Sequence, residues 1–227
     1  MIKGLKVIAL IPARGNSKGI IRKNLLLFNG STLLEHVIIN AKESKTLDKI
    51  FVNSEDSEIL EKAKKHGVNI FKRDLNLAQD NVTANEVIKD FIQNFEFEID
   101  FFILYLQPTS PLRTTGHINS ICELIENSLE NCAISVTKID NKILKSFLIV
   151  SGKLVPVSNE SFINSNRQDL PPVYLSNGAA YLFRKSDFMR ADMIPLQNAI
   201  PFVMDESESI DIDSLEDYKN LLKIDYK

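Results

Sequence analysis

The chain predicts an α/β fold with a mostly parallel sheet flanked by helices, and three observations carry that expectation. Short β-prone apolar runs alternate with amphipathic helical segments up to about residue 137. Parallel neighbours need crossover segments, and this rhythm supplies them as helices. The 227 residues, 44% hydrophobic and 25% charged, suit one globular domain with a sizeable core, free of repeats and low-complexity stretches.

The first strand is expected at Lys6–Ile11, stopped by Pro12. Leu33, Leu34, Val37, Ile38 and Ala41 then recur at helical spacing. Ile50–Asn53 reads as the next strand, followed by a helix carrying Ile59, Leu60 and Ala63 and closed by Gly67. After a strand at Asn69–Lys72, Thr83-Ala84-Asn85-Glu86 is a capping box. It opens a helix whose buried stripe is Val87, Ile88, Phe91, Ile92 and Phe95. Phe101–Leu106 is a further strand, and a helix over His117–Leu129 turns Ile118, Ile121, Cys122, Ile125 and Leu129 inward. Ala133–Thr137 completes the regular series. Residues 138–172 become irregular, with β-like pieces at Ser146–Val150 and Lys153–Val157, and read as an arm on a single domain spanning 1–227. Strands at Ala179–Phe183 and Ala199–Met204 follow, then a last helix with Leu215, Tyr218, Leu221 and Leu222.

Composition removes several function classes. No apolar run approaches the roughly 20 residues that cross a bilayer, so no membrane partner is expected. The N-terminal apolar run is too short for a signal peptide. A net charge of −3 argues against nucleic acid as the main partner. Cys122 and Cys132 read as small buried residues, for which a reducing cytoplasm is the natural setting. His36, His66 and His117 are isolated, and no Cys/His cluster has zinc spacing.

The most informative stretch is the loop Pro12–Asn24, which follows the first strand and so sits at the carboxyl edge of the sheet, where such folds bind ligands. It holds two glycines and the basic residues Arg14, Lys18, Arg22 and Lys23, a combination that presents N–H groups and cations to a polyphosphate. It matches neither the P-loop spacing nor the dinucleotide fingerprint. Taken alone, it is equally a solvated basic turn. Gln107-Pro108-Thr109-Ser110-Pro111-Leu112-Arg113 forms a second loop at a strand end, where two prolines leave Gln107, Thr109, Ser110 and Arg113 as available polar groups, although alone it reads first as a rigid turn. Asp211-Ile212-Asp213 places two carboxylates on one face of an extended segment, a costly arrangement unless cations or donors compensate. Magnesium suits such a pair, because it takes few protein carboxylates and keeps water and phosphate. Asp213 or Ser214 equally serves as the cap of the last helix. Arg167 is placed to grip a carboxylate, or is a surface residue.

Together these segments resemble the acylneuraminate cytidylyltransferases, the CMP-sialic acid synthetases. The similarity covers nearly the whole chain in order: Ile11–Asn24, Arg73-x-x-x-Leu77-Ala78-x-Asp80, Gln107–Arg113, Arg167-Gln168-x-Leu170-Pro171, Asn177-Gly178-Ala179-Ala180-Tyr181 and Ser209-Ile210-Asp211-Ile212-Asp213. The resemblance implies a Rossmann-like nucleotidyltransferase fold and a reaction of CTP with a nine-carbon 2-keto sugar acid. It implies that Arg14, Lys18 and Lys23 hold the triphosphate. Ser17, Asn24, Arg73 and the backbone from Asp80 through Thr83 to Ala84 would frame the cytidine. Gln107, Lys145, Arg167, Asn177 and Tyr181 would line the sugar site, and Asp211 and Asp213 would bind Mg2+. Arg14, Lys23 and Asp211 would be catalytic, the two cations neutralising the leaving group and Asp211, or a metal-bound species that it positions, accepting the hydroxyl proton. The arm would help form a homodimer and reach the partner's active site.

Tyr174-Leu175-Ser176 lacks the basic residue that often precedes Asn-Gly-Ala in sialic-acid enzymes. With Asp140–Lys145 and Met204–Ser207, that departure looks most like the branch activating legionaminic acid, with Leu175 as an apolar wall. Activation of the eight-carbon acid Kdo is the runner-up, and a catalytically silent nucleotide-binding protein is the reading from another class. A NAD-dependent oxidoreductase is disfavoured without the glycine fingerprint.

Overall fold

In the computed structural model, which describes residues 1–95 and 100–224, the first strand is apolar on both sides and lies inside the molecule. β1 spans Val7–Pro12, and Val7 to Ile11 are wholly buried. Val7, Ala9 and Ile11 join one core and Ile8 and Leu10 another, as alternating side chains must. Both faces therefore need helices. A tight hairpin follows, β2 (Leu27–Phe28) and β3 (Ser31–Thr32), turned by Asn29 and Gly30 at φ 46° and 82°. Positive φ at both central residues is the primed turn that Asn-Gly favours.

The alternation then runs as expected through α1 (Leu33–Glu43), β4 (Lys49–Ser54), α2 (Ser57–Lys65), β5 (Asn69–Lys72), α3 (Ala84–Asn94), β6 (Phe102–Tyr105), α4 (Thr115–Glu126) and β7 (Cys132–Ile139). Three of these helices open on capping boxes: Thr32 with Glu35, Thr83 with Glu86, and Thr114 with His117. Helix α4 ends at Glu126, so Leu129 lies beyond the helical period. It is 98% exposed rather than inward. Two short strands, β8 (Phe147–Val150) and β9 (Lys153–Pro156), pair as a separate hairpin. They precede β10 (Val173–Arg184), α5 (Lys185–Ala191), β11 (Ile200–Met204) and α6 (Leu215–Leu221).

The main sheet has the order β11-β7-β10-β6-β1-β4-β5. All its pairings are parallel except those of β10, which runs antiparallel to both β6 and β7. The fold is thus the mostly parallel, helix-flanked α/β sheet expected. Strand β10 is far longer than Ala179–Phe183, because its first residues pair with the end of β7, Val173 opposite Ile139. β7 and β10 are two legs of one long hairpin, and residues 140–172 are its expanded tip.

One core, between the sheet and α1, α2 and α4, contains Leu34, Val37, Ile59, Ile118 and Ile121; the other, under α3 and α5, contains Ile88, Phe91, Tyr105 and Phe188. A third cluster bears on the site. Ile20 of the basic loop, Leu112, Ile212 and Leu221 of α6 pack together, binding the loop to the C-terminal segment. The chain runs from β1 outward to β4 and β5, then crosses back to β6 on β1's other side. Such a reversal opens a crevice at the carboxyl ends of the strands.

Candidate functional site

A cleft of about 310 Å³ lies at that crevice. Pro12, Arg14, Ser17, Lys23 and Asn24 line one side, from the loop after β1. Arg73 follows β5, Thr83 and Ala84 open α3, and Gln107, Pro108 and Thr109 follow β6. Asp211 and Asp213 close the remaining side.

The basic loop is held from below. The Asn24 side chain, buried, donates to the Arg14 carbonyl at 2.9 Å, and the Gly15 N–H donates to Glu55 at 2.7 Å. Gly19 lies flat against the Asp213 carbonyl, and a Cβ there would collide with it. The cations divide. Arg14 faces the cleft and pairs with Asp80 at 2.9 Å, while Lys23 pairs with Asp213 at 2.9 Å. Arg22 turns away to Asp56 and Glu58, and Lys18 is exposed outside the cleft lining.

Ile212 explains the acidic pair. Its side chain is fully buried in the third cluster, and its N–H donates to the Thr109 carbonyl at 2.8 Å, so both flanking carboxylates turn to the cleft. Ser214, not Asp213, caps α6 through a capping box with Asp217, which leaves the Asp213 carboxylate to Lys23. Burial pushes the Asp211 carboxyl above its ordinary pKa, with the nearby Asp213 charge adding to the rise against a Thr109 hydrogen bond. Asp211 Oδ1 is buried without a hydrogen-bond partner. A buried carboxylate with a vacant acceptor beside a second carboxylate is a fit for magnesium. Among the described residues no group of three or more His, Cys, Asp or Glu side chains stands together to hold a metal, so phosphate and water would supply the other ligands.

Gly178 sits at a break in the β7–β10 register with φ 73°, and a Cβ there would lie 3.0 Å from Gln107 Oε1 and 3.3 Å from Asp211 Oδ2. The Asn-Gly segment thereby brings β10 against both residues. Asn177 is not among the cleft-lining residues. Its buried side chain donates to Ser209 Oγ at 2.9 Å and accepts from the Ala179 N–H, steadying the approach to Asp211. Arg113 is likewise sealed in, donating to the carbonyls of Gln107 and Ala179, and burial lowers its pKa to about 9. It braces the loop after β6 and is unavailable to a ligand.

An annexe of about 230 Å³ continues past Gln107, lined by Ala84, Tyr105, Tyr181, Met193, Ile194 and Leu196. Tyr181 packs edge-on against Tyr105 and its hydroxyl meets Ser176 Oγ at 2.9 Å. Leu175 is exposed on the arm-proximal part of β10 and lines neither space. The apolar wall comes instead from the segment after α5, which helical or strand periodicity could not flag because it is irregular. Lys145 and Arg167 lie in the arm, bonded to the Ser165 carbonyl and to Asp140 respectively, outside this chain's own cleft.

A profile of the family described as Cytidylyltransferase matches residues 8–224. The N-acylneuraminate cytidylyltransferase of Streptococcus agalactiae serotype V is 29% identical over 96% of the chain, which spans 53% of that relative. The chain thus covers about half the length of the streptococcal relatives it matches. It covers 92% of the CMP-N,N'-diacetyllegionaminic acid synthase of Campylobacter jejuni, at 32% identity over 94% of the chain. For the pseudaminic acid cytidylyltransferase of the same species the figures are 29%, 98% and 97%. Among solved structures, CMP:2-keto-3-deoxy-manno-octonic acid synthetase complexed with CTP superposes with a TM-score of 0.69 over 96% of this chain and 97% of that one, at 12% identity. That likeness is one of fold. With a family profile running almost end to end, the chain belongs to the cytidylyltransferase family.

Proposed function

We propose that the protein transfers CMP from CTP to a nine-carbon 2-keto sugar acid, N,N'-diacetyllegionaminate or N-acetylneuraminate, and releases pyrophosphate. The observation that carries this reading is a single cleft in which Arg14 and Lys23 stand opposite Asp211 and Asp213 at the switch point of the sheet. Each of these two cations is paired with a carboxylate, so an entering triphosphate exchanges one anion for another.

The sugar's C2 hydroxyl attacks the α-phosphorus in line. A C2–O–P bond forms, the bond from the α-phosphorus to the bridging oxygen breaks, and pyrophosphate leaves. Asp211, or a group that it positions, accepts the hydroxyl proton. Arg14 and Lys23 neutralise the triphosphate and the leaving group, and Lys18, exposed outside the cleft lining, meets the triphosphate only by swinging towards it. Ser17, Asn24, Arg73 and the Asp80–Thr83 backbone hold the cytidine. Asp211 and Asp213 would hold magnesium, which supplies charge neutralisation at the phosphoryl group. Gln107 and Tyr181 contact the sugar, and the apolar annexe beyond them receives an acyl or methyl substituent.

We assign Lys145 and Arg167 to the partner's site in a homodimer, joined through the arm. Phe147, Leu148, Ile149, Val150 and Leu154 are exposed on the β8–β9 hairpin, an apolar patch that a lone subunit rarely leaves bare.

Pyrophosphate release with CTP and magnesium tests the reading, comparing diacetyllegionaminate, N-acetylneuraminate, pseudaminate and Kdo at equal concentration. Turnover of a nine-carbon acid is expected, with legionaminate favoured in kcat/KM by about 10–200-fold at most, the discrimination that one apolar contact supplies. Turnover of Kdo alone overturns the sugar assignment. No turnover in folded protein that binds CTP overturns the enzyme reading.

A further inference from the structure

The turn from β4 into α2, Glu55-Asp56-Ser57-Glu58, carries three carboxylates beneath the nucleotide cleft. Two of them anchor the far end of the basic loop. Asp56 and Glu58 take the Arg22 guanidinium at 3.0 and 2.7 Å, and the Arg22 backbone lies in the left-handed region at φ 56°. Asp56 also presses against Gly15, where a Cβ would fall 2.5 Å from its carboxylate.

Glu55 does something different. Its Oε1 accepts the Gly15 N–H at 2.7 Å, at the root of the phosphate loop. Its Oε2 lies 3.7 Å from Arg73 Nε, and the two side chains are only 10% and 4% exposed. Arg73 donates besides to the Asn53 carbonyl at 2.8 Å and, more weakly, to the Leu77 carbonyl at 3.4 Å. It lines the cleft beside Leu77 and Gln79. Burial lowers the Arg73 pKa, and the Glu55 charge is the strongest influence opposing that shift.

We propose that Glu55 is a positioning residue that ties the phosphate end of the nucleotide site, through Gly15, to its base end, through Arg73. The inference rests on the nucleotide reading above and adds to it a residue that touches no ligand. A carboxylate suits the task because one oxygen accepts from Gly15 while the other, 3.7 Å from Arg73 Nε and beyond hydrogen-bond reach, supplies the charge that pairs with the guanidinium. An amide of the same size offers one acceptor and one donor, and the donor would face another donor at Arg73. Glu55→Gln therefore keeps the volume, replaces the ion pair at Arg73 with a facing donor, and weakens the bond to Gly15 as well, since a neutral acceptor holds an N–H about half as strongly as a carboxylate.

The test is calorimetric binding of CTP, of CMP and of inorganic pyrophosphate, with magnesium, to the wild type and to Glu55→Gln. CMP lacks the outer phosphates and pyrophosphate lacks the base, so each reports one end of the site. Both fragments are expected to weaken at least fivefold and CTP more than tenfold, while KM for the sugar acid stays within twofold. A general loosening of the fold would raise both KM values together and would overturn the proposal. So would a variant in which either fragment binds within twofold of wild type. If Glu55→Gln does not fold, Glu55→Asp, one methylene shorter and still charged, is read by the same criteria. Wild-type protein that binds none of the three ligands refutes the nucleotide reading itself. Wild-type binding with an unchanged variant refutes the Glu55 proposal alone.

Discussion

Lys23 brings its ammonium to Asp213 on a side chain that is 13% exposed, against 76% for its partner. The charge is thus fixed by the protein and paired at 2.9 Å with an exposed carboxylate, which an entering anion can replace. Removing one preorganised charge from a transition state typically costs on the order of 10²–10³ in rate. Lys23→Ala is expected to lower kcat by that factor while unfolding stays cooperative; a near-normal pyrophosphate-release rate removes Lys23 from the chemistry. Asp211 supports an opposite prediction about stability. Its pKa is raised in the native state, chiefly by burial. As pH rises through the ordinary carboxylate range the unfolded chain ionises first, so the native state loses stability until the raised native value is passed. Asp211→Asn is therefore expected to abolish turnover yet raise the melting temperature at pH 7 in EDTA, with the gain vanishing near pH 3. A lowered melting temperature at pH 7 would show that Asp211 is compensated in the free protein.

At the scale of elements, the site depends on how closely two non-adjacent segments touch. Gly19 in the basic loop rests on the Asp213 backbone, and Ile20 and Ile212 share one apolar cluster. Because the obstacle at Gly19 is a carbonyl rather than a flexible side chain, Gly19→Ala must move a main chain. The expected cost is about 1–3 kcal/mol in urea unfolding, as for overpacked cores, with kcat falling because Lys23 and Asp213 separate. Unchanged unfolding and kcat would mean that the contact is slack. The Asn-Gly bend in β10 works similarly, since only a residue without Cβ tolerates both φ 73° and the approach to Gln107 and Asp211.

For the whole molecule, the exposed hairpin decides the outcome. Ile149 and Leu154 are 76% and 65% exposed on β8 and β9. If they form the homodimer seam, Ile149→Lys with Leu154→Lys yields a monomer by light scattering. That monomer still binds CTP, because the cleft belongs to one chain. It turns over slowly, because Lys145 and Arg167 then reach no partner. A dimer that persists through both substitutions, or a fully active monomer, excludes the arm from the site.

The sequence by itself determined the β/α alternation, the capping box of α3, the burial of both cysteines and the loops that gather at the cleft. These are local properties: apolar period, turn chemistry and strand ends declare themselves within a dozen residues. Leu129 is exposed where the helical period predicts it inward, because a period alone does not say where a helix stops. Only the tertiary structure decided that β10 runs antiparallel as one leg of a long hairpin with β7. It likewise decided that Ser214 rather than Asp213 caps α6, that Asn177 and Arg113 brace the site from within, and that Met193, Ile194 and Leu196 wall the annexe. Glu55 shows the reason. Its importance lies in joining Gly15 and Arg73, 40 residues before it and 18 after it, at 2.7 and 3.7 Å. Contacts between residues so far apart in the chain are set by how strands are ordered in the sheet, and no local pattern of residues encodes that order.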